Sequence, residues 1–312
     1  MTFFRPDQAL NQTVQTILDA TFQEFPSLKR DQIALTWIVY DEPVIVNTGG
    51  AISAEEFWKY SVRGSSYRSF ERIYPASLVK LFYLVAIAEW LEGNMIESSP
   101  ELERAITDMI VDSSNDATSL IVDTLTGTTS GPELPDAPFE TWKHQRNLVN
   151  RYFQNLGWEE LNGINVNQKP WNEGPYGRER AFVGKMMDNR NMLTTDAVAR
   201  LLHSIVGGVA VSSVRSQQMM KLLKRSLNVA KPEAGEENQV TGFLGEGLPK
   251  NAQLWSKAGW TSKVRHDGAY IEIPNKQPYL LTVFTEGQEN ASNPQILPFI
   301  SQAIANISFV DD

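Results

Sequence analysis

The chain has 312 residues, of which 42% are hydrophobic and 21% charged, a balance typical of a globular protein with a sizeable core. The formal charge of −9 argues against a nucleic-acid groove or an anionic membrane surface as partner. The absence of cysteine excludes disulfides and thiolate chemistry, and three scattered histidines disfavour a metal site. We therefore expect no cofactor, and chemistry that runs on hydroxyls, carboxylates, amides and amines.

The N-terminal region combines a helix with strand patterns. Apolar residues at helical spacing predict a helix over 10–22, which Pro26 ends. β-Branched and aromatic residues over 33–40, followed by a short strand over 44–46, predict a hairpin. An isolated hairpin is marginally stable in water, so strands from elsewhere in the chain should complete the sheet.

The middle of the chain is predominantly helical. The predicted helices are 77–92, 100–111, 115–126, 141–156, 194–206 and 214–224. The predicted strands return at 253–257, 268–273 and 278–285, before a final helix over 294–307. Residues 231–247, rich in Gly and Glu, are predicted to form a loop that leads back to the sheet.

Strands at both ends of the chain, with helices between them, predict an α+β fold. Residues 1–72 and 226–312 would form one antiparallel sheet flanked by the N- and C-terminal helices. Residues 73–225 would form an all-helical inserted lobe. We expect the active site in the cleft between these lobes, where ligands commonly bind.

Targeting signals are not visible in the sequence. Residues 1–8 have no basic region followed by an apolar stretch, and the longest apolar run, 81–88, is too short to span a bilayer. We expect a monomeric protein of the cytoplasm without a membrane partner, or a periplasmic or secreted one if a leader has been removed.

Ser77 and Lys80 form a Ser-x-x-Lys pair at the start of a segment that is apolar on nearly every side. A helix that is apolar all round is a buried helix, so Ser77 would lie at its positive N-terminal end with Lys80 on the same face. A desolvated lysine can remove the proton of a serine hydroxyl and so activate it. The alternative is that Ser77 caps the helix and Lys80 extends to water.

Two further motifs follow in the chain. Ser113-Ser114-Asn115 precedes the predicted helix 115–126, where Ser and Asn are also common as simple helix caps. Lys257-Ala258-Gly259 lies on a predicted strand, and a glycine there lets a ligand approach the backbone closely. His266-Asp267, just beyond, is interpreted as a turn pair rather than a catalytic dyad.

The three motifs, in this order and on these elements, resemble the penicillin-recognising serine hydrolases, most closely the class A β-lactamases. The resemblance implies a β-lactamase-like fold and acylation of Ser77 by a strained cyclic amide. Lys80 would act as general base, or as the electrostatic partner of one. Ser113 would relay a proton to the leaving nitrogen, and Asn115 would hydrogen-bond both the substrate and Lys80. Lys257 would attract the substrate carboxylate.

The resemblance also implies an oxyanion hole formed by the backbone N–H groups of Ser77 and Trp260, the latter directly after Gly259. The substrate would be a small β-lactam, or a related amide or ester that carries a carboxylate. Two local lysines suit such an anion although the whole chain is acidic.

The sequence departs from the family pattern in several places. Ser114 stands where the class usually has Asp, and Ala258 stands where Ser or Thr supplies a hydroxyl to the substrate carboxylate. Thr261, Ser262 or Arg265 could supply the missing contact. The stretch between the first two motifs is shorter than in typical class A enzymes, and family members normally work outside the cytoplasm.

Deacylation in class A requires a glutamate that activates water. Glu173, in a turn-rich loop before the helix 194–206, has the expected place in the order of elements and is the preferred candidate. Glu159 and Glu160 precede Leu161-Asn162 in a looser copy of the family motif, but they come earlier in the chain. Any of these could instead be a solvated surface carboxylate.

Three functions therefore compete. The leading hypothesis is a β-lactamase-like serine hydrolase of the class A type. The second is another activity on the same scaffold, either a D-alanyl peptidase or esterase, or a penicillin-binding protein that acylates without efficient turnover. A non-catalytic binding module is the third, although the intact Ser77, Lys80, Ser113, Asn115 and Lys257 weigh against it.

Overall fold

The computed structural model describes residues 3–41, 52–171, 173–229 and 238–307. The strands within these ranges are β1 Phe4–Pro6, β2 Ile33–Val39, β3 Val62–Tyr67, β4 Lys224–Arg225, β5 Gln253–Thr261, β6 Val264–Glu272 and β7 Tyr279–Glu286. They form one sheet in the order β1-β3-β2-β7-β6-β5-β4. β1 and β3 pair in parallel, and every other neighbouring pair is antiparallel.

Twelve α-helices accompany the sheet in the described ranges. They are α1 Gln8–Glu24, α2 Ala54–Phe57, α3 Lys80–Glu92, α4 Pro100–Val111, α5 Asn115–Thr126, α6 Asp136–Arg146, α7 Leu148–Asn155, α8 Gly177–Val183, α9 Thr195–Val206, α10 Ser213–Leu223, α11 Gln288–Ser292 and α12 Ile296–Ala305. Short 3₁₀ helices lie at Arg30–Gln32, Ala76–Val79, Glu159–Leu161 and Leu244–Gly247. None of the described helices is long and apolar enough to cross a membrane.

The sheet has an apolar core on each face. On one face, Leu18 of α1 and Ile300 of α12 pack in the same cluster as Trp37 of β2. On the other face, Ile38 of β2 packs in a cluster that includes Phe82 of α3. Successive strand residues point to opposite faces, so β2, covered on both, is buried along its whole length.

Helix α3 lies at the centre of the helical part. Its residues are buried from Lys80 to Ala88, because apolar side chains project from it in every direction. The 3₁₀ turn Ala76–Val79 leads directly into it. A buried helix of this kind holds its first residues in a fixed position, so Lys80 at its start and Ser77 in the preceding turn are held in place relative to each other.

The α+β, β-lactamase-like fold class is confirmed, with sheet strands from both ends of the chain and helices between them. The division into lobes of residues 1–72 with 226–312, and 73–225, stays a prediction. Strand β2 pairs with β3 and with β7, and the predicted strand over 44–46 lies outside the described residues. Strand β3 was not predicted because its sequence, Val-Arg-Gly-Ser-Ser-Tyr, lacks apolar alternation.

Two other predicted elements are corrected. The helix predicted over 141–156 is divided at Asn147 into α6 and α7, and α8 was not predicted. The interpretation of His266-Asp267 as a turn pair is wrong, because β6 begins at Val264 and both side chains are fully buried. The turn of this hairpin falls at 262–263 instead, since Thr261 pairs with Val264.

Candidate active site

Ser77 lies in a tight turn that is held from two sides. Ala76 has a φ of 48°, in the left-handed region that non-glycine residues seldom adopt. The carbonyl of Tyr74 lies 2.9 Å from Nε2 of the buried His266. A Cβ on Gly259 of β5 would lie 2.6 Å from the Pro75 carbonyl oxygen. Glycine is therefore required at 259 for β5 to pass so close to the serine turn.

Lys80, one helical turn after Ser77, is completely buried. Its Nζ donates to the carbonyl oxygen of Ser113 at 2.5 Å and to Asn115 Oδ1 at 2.9 Å, and it lies 3.2 Å from Ser113 Oγ. Burial lowers the pKa of Lys80 to about 7. No described carboxylate forms an ion pair with this amine.

Ser113 sits between α4 and α5 with a φ of 55°. Ser114, the next residue, caps α5 by accepting from the Ala117 N–H at 3.1 Å. The cap fixes the start of α5, and the left-handed residue before it turns the Ser113 hydroxyl toward the two lysines. Cap and catalytic candidate are thus different serines of one motif.

Lys257 approaches the same hydroxyl from the sheet. Its Nζ donates to Ser113 Oγ at 2.9 Å, to Gln239 Oε1 at 2.6 Å and to the Ala258 carbonyl oxygen at 2.8 Å. Burial, followed by the charges of Lys80 and Arg225, lowers the pKa of Lys257 well below its usual range. Three elements far apart in sequence therefore converge on Ser113.

Two cleft residues were missed by the sequence analysis. Gln239 connects the end of α4 to Lys257, because its Nε2 donates to the carbonyl oxygens of Ile110 and Val111 at 2.9 and 2.8 Å. Arg225 of β4 donates to the Ser256 carbonyl oxygen at 3.2 Å, and burial lowers its pKa to about 10. A lone glutamine in a loop, and an arginine after a helix, carry no sequence signal.

A cleft of about 520 Å³ opens beside these groups. The described residues that line it are Ser77, Val111, Asp112, Ser113, Lys224, Arg225, Ser226, Val229, Asn238, Gln239, Val240, Phe243, Ala258, Gly259 and Trp260. Lys80, Asn115 and Lys257 are not part of this lining, and both lysines are fully buried. Thr261 also lies outside it, at the hairpin end, where its Oγ1 accepts from the Lys263 N–H at 3.2 Å.

Two of the predicted replacements for the missing hydroxyl at Ala258 lie away from Lys257. Ser262 is exposed at the hairpin turn. Arg265 is buried, donates to the Ala291 carbonyl oxygen at 2.9 Å, and lies with its guanidinium 5.1 Å from the ring centre of Trp260. The Ala258 N–H is bound by Gln239, whose Oε1 accepts from it at 3.3 Å.

The three glutamates considered for deacylation have different surroundings. Glu160 is buried, accepts from the Phe3 N–H at 2.8 Å and pairs with Arg200 at 2.6 Å, so both carboxylate oxygens are engaged in holding the fold. Glu159 and Glu173 are exposed and do not belong to the described cleft lining. The role of Glu173 stays a prediction.

Asp267 lies on β6 opposite Ala258, beneath the cleft. Its Oδ2 accepts from the Leu244 N–H at 3.1 Å, and burial raises its pKa to about 7. Within the described ranges, no group of three or more His, Cys, Asp or Glu side chains could hold a metal ion. The site consists of a serine turn, two buried amines, a shared hydroxyl and amide groups.

Comparison with known proteins agrees with this geometry. Residues 93–308 match the model of a family described as the β-lactamase enzyme family. The match begins after Ser77 and Lys80 and includes Ser113, Asn115 and Lys257. No curated protein matches the chain.

Several solved structures share the fold. A structure of PBP-A covers 97% of this chain and 96% of its own at 17% identity, with a TM-score of 0.63. A mutant of PBP-A, solved as an acyl-enzyme complex with penicillin G, covers 96% of this chain and 96% of its own at 17% identity, with a TM-score of 0.64. A β-lactamase from Sphaerobacter thermophilus covers 92% of this chain and 95% of its own at 17% identity, with a TM-score of 0.61. At these identities the likeness concerns the fold alone.

Proposed function

Because the chain belongs to the β-lactamase enzyme family, we propose that it is a serine hydrolase that forms an acyl-enzyme at Ser77. The substrate class is a β-lactam, with a related amide or ester as the alternative on the same scaffold. One observation carries this proposal. Lys80 and Lys257 both contact Ser113 Oγ, directly behind a cleft that Ser77 lines.

Lys80 is the proposed general base. With a pKa near 7, a large fraction of this amine is unprotonated at neutral pH and can accept the Ser77 hydroxyl proton. Ser77 Oγ then bonds to the substrate carbonyl carbon. Ser77 and Lys80 share no hydrogen bond in the described structure, and such contacts commonly tighten only when substrate binds.

The backbone N–H groups of Ser77 and Trp260 are proposed to stabilise the oxyanion, which the close approach at Gly259 favours. As the carbonyl–nitrogen bond breaks, Ser113 passes a proton to the leaving nitrogen. Asn115, already bound to Lys80, would orient that amine and contact substrate. Thr261 is kept as a weaker candidate for substrate contact at the rim.

A second candidate function is a penicillin-binding protein that acylates and releases product slowly. The specific observation in its favour is that Lys80 contacts a carbonyl oxygen, a hydroxyl and an amide oxygen, but no carboxylate among the residues that the structure describes. Hydrolysis of the class A type needs a carboxylate that activates water near the acyl group. The sequence candidate for that role, Glu173, is exposed and lies outside the described cleft lining, which supports slow deacylation. Both functions begin with acylation of Ser77, and they differ only in how fast the acyl-enzyme is then hydrolysed.

The test is intact-mass spectrometry of the protein with benzylpenicillin, beside Ser77→Ala. We expect one adduct of the mass of the antibiotic on the native protein and none on the variant. A chromogenic cephalosporin then separates the two functions, because a hydrolase releases many products per enzyme and a slow deacylator releases about one.

Two outcomes would contradict the proposal. A native protein that is neither modified by several β-lactams and activated esters nor able to hydrolyse them after prolonged exposure would exclude an acyl-enzyme. An adduct that persists in Ser77→Ala would place the nucleophile elsewhere. The Ser77→Ala protein should keep its thermal midpoint close to that of the native protein, which controls for loss of folding.

A further inference from the structure

The ammonium of Lys257 is fully committed to the protein. A lysine side chain offers three N–H donors, and three acceptors surround this one: Ser113 Oγ, Gln239 Oε1 and the Ala258 carbonyl oxygen. The side chain is also fully buried. No N–H of Lys257 is therefore left for a substrate carboxylate.

Gln239 both lines the cleft and accepts a hydrogen bond from Lys257. Lys257 itself is fully buried and is not part of the cleft lining. The hydrogen bonds of Gln239 are also complete: the amide oxygen accepts from Lys257 and the Ala258 N–H, and the amide nitrogen donates to two carbonyl oxygens at the end of α4. The face it presents to the cleft is uncharged and has no spare donor.

The residue at 258 strengthens this arrangement. Alanine there has no hydroxyl to offer a ligand, and its N–H is bound by Gln239. Both groups that could bind an anion at this end of β5 are thus occupied by one side chain. Arg225 lines the same cleft from β4, where it pairs with Leu254, and its Nε and Nη2 donate to carbonyl oxygens at 3.2 and 2.9 Å.

We propose that Gln239 is a specificity-determining residue that withholds Lys257 from a substrate carboxylate, so that the site favours acyl donors that are uncharged at that position. This inference rests on the proposed function, because it concerns the substrate of the same cleft. Neutral lactams and esters are the chemical class that fits.

The test measures binding without chemistry. In a Ser77→Ala background, the dissociation constants of benzylpenicillin and of its methyl ester are measured by calorimetry. The two ligands differ only in the carboxylate, so their ratio reports on its recognition. With Gln239 present we expect the acid and the ester to bind within about threefold of each other, since neither gains a charged hydrogen bond.

Gln239→Met is the informative variant, because methionine fills similar space and cannot accept a hydrogen bond as an amide does. It should free one N–H of Lys257 and shift the ratio about tenfold in favour of the acid. Asn238→Ala is the matched control. This amide is in the same loop and lines the cleft, but it bonds to Thr241 and not to Lys257, so the ratio should not change.

The inference is overturned if the acid already binds more than tenfold tighter than the ester with Gln239 present, if Gln239→Met leaves the ratio unchanged, or if that variant binds neither ligand. Failure of the proposed function looks different. The native protein would then form no adduct at Ser77 with either β-lactam, while the shift in binding ratio caused by Gln239→Met would persist.

Discussion

Two regions differ in how their charged groups are paired. One is the group Ser77, Lys80, Ser113 and Lys257, called here the acylation cluster, and the other is the segment 159–179. In the acylation cluster, Lys80 and Lys257 are buried and form no ion pair with a described carboxylate, and burial lowers the pKa of both. In the segment 159–179, buried carboxylates are paired with cations: Glu160 with Arg200, and Glu179 with Arg146. Unpaired buried charge favours reactivity, whereas paired buried charge fixes structure.

The pairing also explains how the segment 159–179 is held. Arg146 of α6 contacts Glu179 at 2.6 Å, and Lys169 contacts Asp123 of α5 at 2.7 Å. These bonds anchor the segment to the helical part at both sides of Glu173. The remaining carboxylates, Glu159 and Glu173, are exposed. The comparison predicts that changes in the acylation cluster affect chemistry far more than changes in the exposed glutamates.

The largest effect is expected from Lys80→Met. Removing the general base should lower the rate of Ser77 acylation by about 10²- to 10⁴-fold, measured by stopped-flow or timed intact mass. Lys276→Met is the control, because Lys276 donates to the Ala305 and Ile307 carbonyl oxygens, remote from the cleft. A Lys80→Met rate within tenfold of native would move the base elsewhere.

Gly259→Ala should have the next largest effect. The added Cβ would lie 2.6 Å from the Pro75 carbonyl oxygen and 2.9 Å from the Leu78 nitrogen, so β5 must move away from the serine turn. Displacing the Trp260 N–H should slow acylation by about ten- to a hundredfold.

Gly163→Ala is the matched control, since its Cβ would meet nothing closer than 3.8 Å. Equal rates for the two alanine variants would show that the approach of β5 to Ser77 does not matter for the reaction.

The effect of pH on the acylation rate should be smaller than the effect of either substitution. Lys80 must be unprotonated to act as a base, so the acylation rate should rise about tenfold from pH 6 to pH 8 with a midpoint near 7. Asp267 also has a pKa of about 7, so Asp267→Asn separates the two groups. A midpoint that disappears in Asp267→Asn would assign the titration to that carboxyl and not to Lys80.

Glu173→Gln should have the smallest effect. An exposed carboxylate outside the cleft lining should change the deacylation rate by less than about threefold, measured as loss of the Ser77 adduct after free antibiotic is removed. A hundredfold slower loss would instead establish Glu173 as the water-activating residue and favour hydrolysis of the class A type. Glu159→Gln, equally exposed, is the control.

The fold could be predicted from local pattern and the order of elements, whereas the convergence of Lys80, Ser113, Asn115 and Lys257 was implied by the resemblance of the three motifs to the serine hydrolases. An all-apolar segment must be a buried helix, and a strand–helix–strand order leaves few arrangements of the sheet. Gln239 could not be predicted, because its role depends on where a loop returns over a strand. Asp267 was predicted to lie in a turn, but the hairpin turn falls four residues earlier, at 262–263. Asp267 is therefore a buried strand residue.

The Ser113 hydroxyl has a consequence for the direction of proton movement. An oxygen of this kind has two lone pairs and one hydrogen, and amines approach it at 3.2 and 2.9 Å from two sides. With both lone pairs occupied, the single hydrogen can only be given outward. In the proposed acylation, this arrangement would direct the hydrogen of Ser113 Oγ toward the leaving nitrogen and would let a lysine on the other side of the oxygen replace it.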